Sequence, residues 1–308
     1  MKKTTYLISI LFFMTIVANS CDHDENILSS HAKSSETTIF ADISPRNAKT
    51  AALQYYPSDA IEGIAAFDLT ESASKVVVSI LENFMKCILY SGTKNASSWA
   101  MRAYLALREA GIPFEERVVD IRRPQRFNNL AEIGRISPPA AVPVLIVDQD
   151  VIFDSLAIME FANDMSGGQL LPQETMSRAR ARSLMAWQHS GLSNICPRIS
   201  FESAFYPDKR ALSQDEQVQC QRLLSVWEQQ LDRSQGPFLF DKLSLADLNF
   251  LPTVVRLSRH QANTHNYPLV EAWMTRVLEL ASVKEWMEEA DRQPHVWYDD
   301  YLLPQVSQ

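Results

Sequence analysis

The chain has 308 residues, 46% of them apolar, with 37 acidic and 29 basic side chains and a formal charge of −8. That apolar share is enough for two modest cores rather than one. The acidic balance, with no basic stripe, speaks against nucleic-acid binding. The four cysteines, Cys21, Cys87, Cys196 and Cys220, form no Cys-x-x-Cys pair, and the six histidines have no metal-ligand spacing, which argues against disulfide frameworks and metal sites. No nucleophile elbow, phosphate loop, dinucleotide fingerprint or internal repeat is present.

In chain order, Lys2-Lys3, the apolar run Tyr6 to Ala18 and Ala18-Asn19-Ser20-Cys21 read as an export signal of lipoprotein type spanning residues 1–21. Its removal leaves Cys21 as the lipidation candidate and a membrane tether through the N-terminus. Residues 22–84 are rich in Ser, Thr, Asp and Ala without sustained periodicity, as expected of a low-order extension. Met85 is an alternative start, because the first strand of the next domain begins there. A start at Met85 means a cytoplasmic protein; the signal means a membrane-anchored or periplasmic one.

Residues 85–164 carry the pattern βαβαββα. The run that begins at Leu89 moves from a short apolar stretch through a polar loop to Ser97 and Ser98, after which Met101, Tyr104 and Leu105 fall at helical spacing. Gly111 stops that helix, with Pro113 just beyond. Phe114 to Asp120 predicts a strand, followed by the Arg122-Arg123-Pro124 turn and a short helical piece. Val142 to Val147 predicts a buried strand opening on a proline, paired with Val151–Phe153 across Asp148-Gln149-Asp150. Asp154-Ser155 then marks the start of a helix through Leu156, Ile158, Met159 and Ala162. Residues 165–176 form a linker. An all-α domain follows over 177–308, with helices expected at Arg178–His189, Gln214–Arg233, Leu245–Arg259, Val270–Leu280 and Val283–Ala290. Ser244 with Asp247 has capping-box spacing, and Leu243 with Leu248 has staple spacing.

A helix N-terminus carries partial positive charge and unpaired N–H groups, so a loop that delivers two hydroxyls there is suited to an anion such as a thiolate. The same serines are also favoured N-caps. The order of Asn95-Ala96-Ser97-Ser98-Trp99, Met101-Arg102, Val142-Pro143-Val144 and Asp154-Ser155-Leu156-Ala157-Ile158 resembles the thioredoxin-like domain of the glutathione transferases, in a bacterial branch similar to the serine-type classes. The resemblance continues through Arg178-Ala179-Arg180, His189-Ser190-Gly191, Gly236 to Phe240 and Ser244-Leu245-Ala246-Asp247, and covers nearly everything from Met85 onward. It implies a thioredoxin-like α/β domain followed by an all-helical domain, a homodimer, and glutathione as substrate without metal or bound redox cofactor.

The resemblance assigns the thiol-stabilising hydroxyl to Ser97, with Ser98 as its alternative. Lowering a thiol by about two units from about 8.5 requires ~2.7 kcal/mol, within reach of one hydrogen bond to a charged acceptor plus a helix terminus. Asp154 would take the ammonium of the γ-glutamyl group, and Ser155 its carboxylate. Val142 would pair its backbone with the cysteinyl part, helped by a cis bond to Pro143. Trp187, His189 and Tyr206 are acceptor-site candidates, with Phe201 beside Tyr206; for each of them packing is the competing role. No cysteine stands at position 97, which argues against a disulfide-exchange role. Ala140-Ala141 and Ala96 depart from the usual family pattern, on the ligand and acceptor sides respectively. The implied activity is glutathione transfer to small apolar electrophiles. Two alternatives stand beside it: a non-catalytic thiol- or peptide-binding module, and a glutathione-dependent isomerase or dehalogenase.

Overall fold

The computed structural model describes residues 85–191 and 199–295. The signal-like segment, Cys21, the 22–84 extension and Cys196 lie outside the described residues.

The first domain forms β1 (Cys87–Gly92), α1 (Ser98–Glu109), β2 (Glu115–Val119), α2 (Arg126–Ile133), β3 (Val144–Val147), β4 (Asp150–Phe153) and α3 (Ser155–Met165). Its sheet runs β2-β1-β3-β4, parallel between β1 and β2 and antiparallel at the other two pairings. This is the mixed thioredoxin-like sheet expected from the βαβαββα order. β3 is shorter than its apolar run suggests: the ladder starts with Val144 opposite Tyr90, and the Val142–Pro143 bond before it is cis. Proline has no N–H for a ladder, so Val142 is left outside the sheet.

The helices α1 and α3 pack together and against the sheet. Met101, Ala103, Leu105, Ala106 and Leu107 of α1 are fully buried, which explains a helix whose apolar positions extend beyond one stripe: it is covered by the sheet, by α3 and by the second domain. Gly111 follows it at φ +70°, the left-handed conformation that ends a helix at little cost to glycine.

The second domain contains α4 (Thr175–Gly191), a short 3-10 turn (Glu202–Phe205), α5 (Gln214–Ser234), α6 (Leu245–Arg259), α7 (Pro268–Leu278) and α8 (Ala281–Arg292). α4 begins earlier than its periodicity suggests because the Glu174 carboxylate accepts hydrogen bonds from the N–H groups of Met176 and Ser177, at 2.8 and 2.6 Å. α7 likewise begins earlier, on Pro268, whose missing N–H costs nothing in a first turn. α6 is the hub: it is buried from Leu245 to Leu257 and packs on α1, α4, α7 and the 3-10 turn. Trp227, Phe250 and Trp273 form its aromatic core, with centroids 5.1 and 4.9 Å apart in edge-on pairs.

Candidate active site

Ser97 is the N-cap of α1. Its Oγ accepts from the N–H of Ala100 at 3.2 Å, and its own N–H donates to the Thr93 carbonyl at 2.8 Å. The hydroxyl proton is not consumed by the cap, so capping and donation to a ligand are compatible. A Cβ added at Gly92 would lie 2.7 Å from Ser97 Cβ and 3.0 Å from Val142 Cγ2. The end of β1, the serine and the residue before the cis proline therefore converge at one point, and only glycine leaves room there.

Ser98 faces differently. Its Oγ accepts from Nη2 of Arg256 on α6 at 3.2 Å, and the same guanidinium stands 5.4 Å from the Phe201 ring centroid. The two serines are thus separated by geometry: Ser97 lies beside Val142, and Ser98 is tied to the helical domain.

The loop between β1 and α1 is held from three sides. Thr93 Oγ1 donates to Asp120, whose carboxyl is held down to about 2, chiefly by hydrogen bonds from the Arg122 side chain. Lys94, fully buried, pairs with Glu116 at 2.7 Å and Glu289 at 3.3 Å and stacks between Tyr104 and Trp286 at 4.2 and 4.5 Å. Asn95 Nδ2 donates to the carbonyls of Gln293 and Pro294, at 3.1 and 3.2 Å, just beyond α8.

Asp154 caps α3 in a left-handed conformation, φ +74°, with Oδ1 accepting from the Leu156 N–H at 2.8 Å. Its other oxygen stands 3.2 Å from Nε2 of His189, on α4. Ser155 is 2% exposed, yet its Oγ has no hydrogen-bond partner. A buried hydroxyl left unsatisfied at a helix N-terminus costs free energy that a polar ligand would recover.

The acceptor-side candidates divide. Tyr206 lines a small cleft with Asn95, Ala96, Arg122, Glu202 and His295, so it is brought within two residues of Ser97. Trp187 goes elsewhere: half-buried, its ring packs edge-on against Phe250 at 6.3 Å, on the helical core. The reason is period: Trp187 lies on the face of α4 that meets α6, whereas His189 lies nearer the first domain. His189 sits at Asp154, the glutamyl side, and meets the Trp99 ring edge-to-face at 4.9 Å. Phe201 is buried and packs against Phe205 at 5.3 Å.

Arg256, Trp99, Asn95 and Arg122 were not legible as site residues. Arg256 meets Ser98 across 158 positions of chain, a separation that no local pattern reports. Trp99 carried one usable signal, an aromatic in the first turn after the serines, and it is 42% exposed there. Among the described residues no cluster of His, Cys, Asp or Glu could hold a metal ion.

Comparison with known proteins bears on the family and the fold. Residues 96–165 match the model of the glutathione S-transferase N-terminal domain, and residues 199–290 match that of the C-terminal domain. A probable maleylacetoacetate isomerase of Caenorhabditis elegans is 29% identical over 190 residues, covering 60% of this chain and 85% of the relative. Mouse glutathione S-transferase theta-3 is 25% identical over 186 residues, 56% of this chain and 75% of its own. A crystal structure of a glutathione transferase homologue from Burkholderia with bound glutathione superposes with a TM-score of 0.51 at 25% identity, over 68% of this chain and all of the other.

Proposed function

The chain belongs to the glutathione S-transferase superfamily, and from that premise we propose that it binds glutathione across Ser97, Val142, Asp154 and Ser155 and activates the thiol for attack on an electrophile. The observation that supports this reading most is the convergence of Ser97 and Val142 at Gly92, with the unsatisfied hydroxyl of Ser155 at the next helix start. In the proposed roles, the Ser97 hydroxyl keeps its proton and donates a hydrogen bond to the sulfur, the thiol proton passes to solvent, and the N-terminus of α1 adds partial positive charge. Val142, outside the β3 ladder, offers its backbone to the cysteinyl residue as an added strand. Asp154 takes the ammonium, while Ser155 and the first N–H groups of α3 take the carboxylate.

Transfer forms a carbon–sulfur bond and expels a leaving group, with the thiol proton already released. A second reading, glutathione-dependent cis–trans isomerisation, is favoured by relatives named maleylacetoacetate isomerases. There the same thiolate adds to a carbon–carbon double bond, the adduct rotates about the resulting single bond, and elimination returns glutathione. Both reactions need the same thiol site. Asn95, Arg122, Glu202 and His295 put polar groups around Tyr206, in a cleft of about the size of one water.

A homodimer belongs to this reading. Val151 and Phe153, 39% and 41% exposed, alternate onto one face of the edge strand β4, an apolar strip that a second copy would cover. Sedimentation velocity on the wild type and on Phe153→Lys tests that part.

The site itself is tested by calorimetric titration with glutathione and with cysteinylglycine, which lacks the γ-glutamyl group. Glutathione is expected to bind at least about tenfold more tightly, since the missing group carries two charge-assisted contacts. Equal affinities, or no binding of either, would remove Asp154 and Ser155 from the site.

A further inference from the structure

His189 stands between two elements of the first domain although it belongs to the second. Its Nε2 is 3.2 Å from Asp154 Oδ2, and its ring meets Trp99 edge-to-face at 4.9 Å. Trp99 is fixed from the other side by the Arg102 guanidinium, 4.5 Å from its centroid. A neutral imidazole that donates from Nε2 to a carboxylate carries its lone pair on Nδ1, and His189 Nδ1 is buried without a hydrogen-bond partner.

Asp154 has a divided task. Oδ1 is consumed by the cap of α3, and the residue is held at φ +74°, where a non-glycine backbone gains nothing from its intrinsic preference. Oδ2 is the oxygen left to meet a ligand ammonium, and its direction is set by what it touches on the protein side, which is His189. Two polar atoms with no partner, Ser155 Oγ and His189 Nδ1, belong to residues on either side of this carboxylate.

We propose that His189 is a positioning residue for the γ-glutamyl end of glutathione, aiming Asp154 Oδ2 from the helical domain, and not a contact for the electrophile. The inference rests on the glutathione reading given above. Its consequence is that binding of the glutamyl group depends on the docking of α4 against α1 and α3. Trp99, one residue after Ser98, transmits the same constraint to the helix that carries the thiol site.

The test is a double-mutant cycle on the full chain with His189→Phe, Asp154→Asn and the double variant, plus His189→Gln, whose amide reproduces the Nε2 donor. The readouts are glutathione affinity by calorimetry and KM for glutathione and for an aryl halide probe. His189→Phe is expected to raise the Kd and KM for glutathione about tenfold, the worth of one partly exposed hydrogen bond to a carboxylate, with a much smaller change in kcat and in KM for the halide. His189→Gln restores part of the loss, and His189→Phe adds nothing once Asp154 is Asn. Asp154→Asn weakening glutathione while His189→Phe leaves it unchanged overturns this proposal alone. A rise confined to KM for the halide, or additive losses in the double variant, overturns it equally. Unchanged affinity in Asp154→Asn overturns both the proposal and the site reading beneath it.

Discussion

Ser97 and Asp154 each cap a helix, and in the proposed reading each has a second duty toward glutathione. Each caps a helix through one atom and leaves another outside the cap: the Ser97 hydroxyl proton, and Asp154 Oδ2, which stands 3.2 Å from His189 Nε2. A sequence cannot separate a capping role from a binding role, since the same residue type at the same place suits both. Asp120 is different, because its environment has a direct pH consequence. Hydrogen bonds from Arg122 and Thr93 hold its carboxyl at about 2, below its ordinary value of 3.8. A carboxyl depressed in the folded state contributes stability that is fully present above its unfolded pKa and is lost as pH falls through the folded one. Chemical denaturation of wild type and Asp120→Asn is therefore expected to show a stability difference that is constant above about pH 5 and shrinks between about pH 4 and 2. A difference independent of pH across that range would mean that Asp120 does not brace the loop through its charge.

Elements were legible where their signals are local. The period of Met101, Tyr104 and Leu105 gave α1, and Gly111 gave its end. Ser244 and Asp247 gave the start of α6, where Asp247 Oδ2 accepts from the N–H and the hydroxyl of Ser244 at 2.9 and 2.7 Å. What the spacing did not reveal is that the other oxygen of Asp247 also accepts from the Leu239 N–H at 2.9 Å and the Trp273 indole at 2.8 Å. Burial pushes its carboxyl up, and four donated hydrogen bonds oppose that push. Asp247→Ala strands those donors in the core of the helical domain and is expected to cost about 3 kcal/mol or more, measured as a shift in denaturation midpoint. A loss below about 1 kcal/mol would reduce Asp247 to an ordinary surface-type cap. The early starts of α4 and α7 escaped the periodic reading for a related reason: Glu174 and Pro268 extend those helices by end effects, with no apolar residue to mark the added turn.

At the scale of the molecule, the cleft is made by two domains, and the contacts that define it are long-range. Lys94 reaches Glu289, Asn95 the carbonyls beyond α8, Ser98 Arg256, and Asp154 His189. The thioredoxin-like order and the helical second half could be read from pattern. The residues that the proposed reading takes from the first domain, Ser97, Val142 and Asp154, each sit at a strand or helix boundary, where local pattern marks them. The helical domain's share was only partly legible, since α4 and α6 present one face to their own core and another to the first domain, and periodicity does not say which partner covers which face. Trp187 and His189, two positions apart, went to opposite destinations for this reason. In the proposed reading, the first domain supplies the thiol site and the second its alignment.

The measurement that bears most directly on this account is the ultraviolet absorbance of glutathione thiolate bound to the full chain, titrated through pH 5 to 9, around the free thiol's value of about 8.5, for wild type, Ser97→Ala and Ser97→Thr. The bound thiol is expected to titrate about two units below free glutathione in the wild type, to return toward about 8.5 in Ser97→Ala, and to stay low in Ser97→Thr, which keeps both cap and hydroxyl. A bound thiol that titrates like free glutathione, or one that stays depressed without the Ser97 hydroxyl, would contradict it.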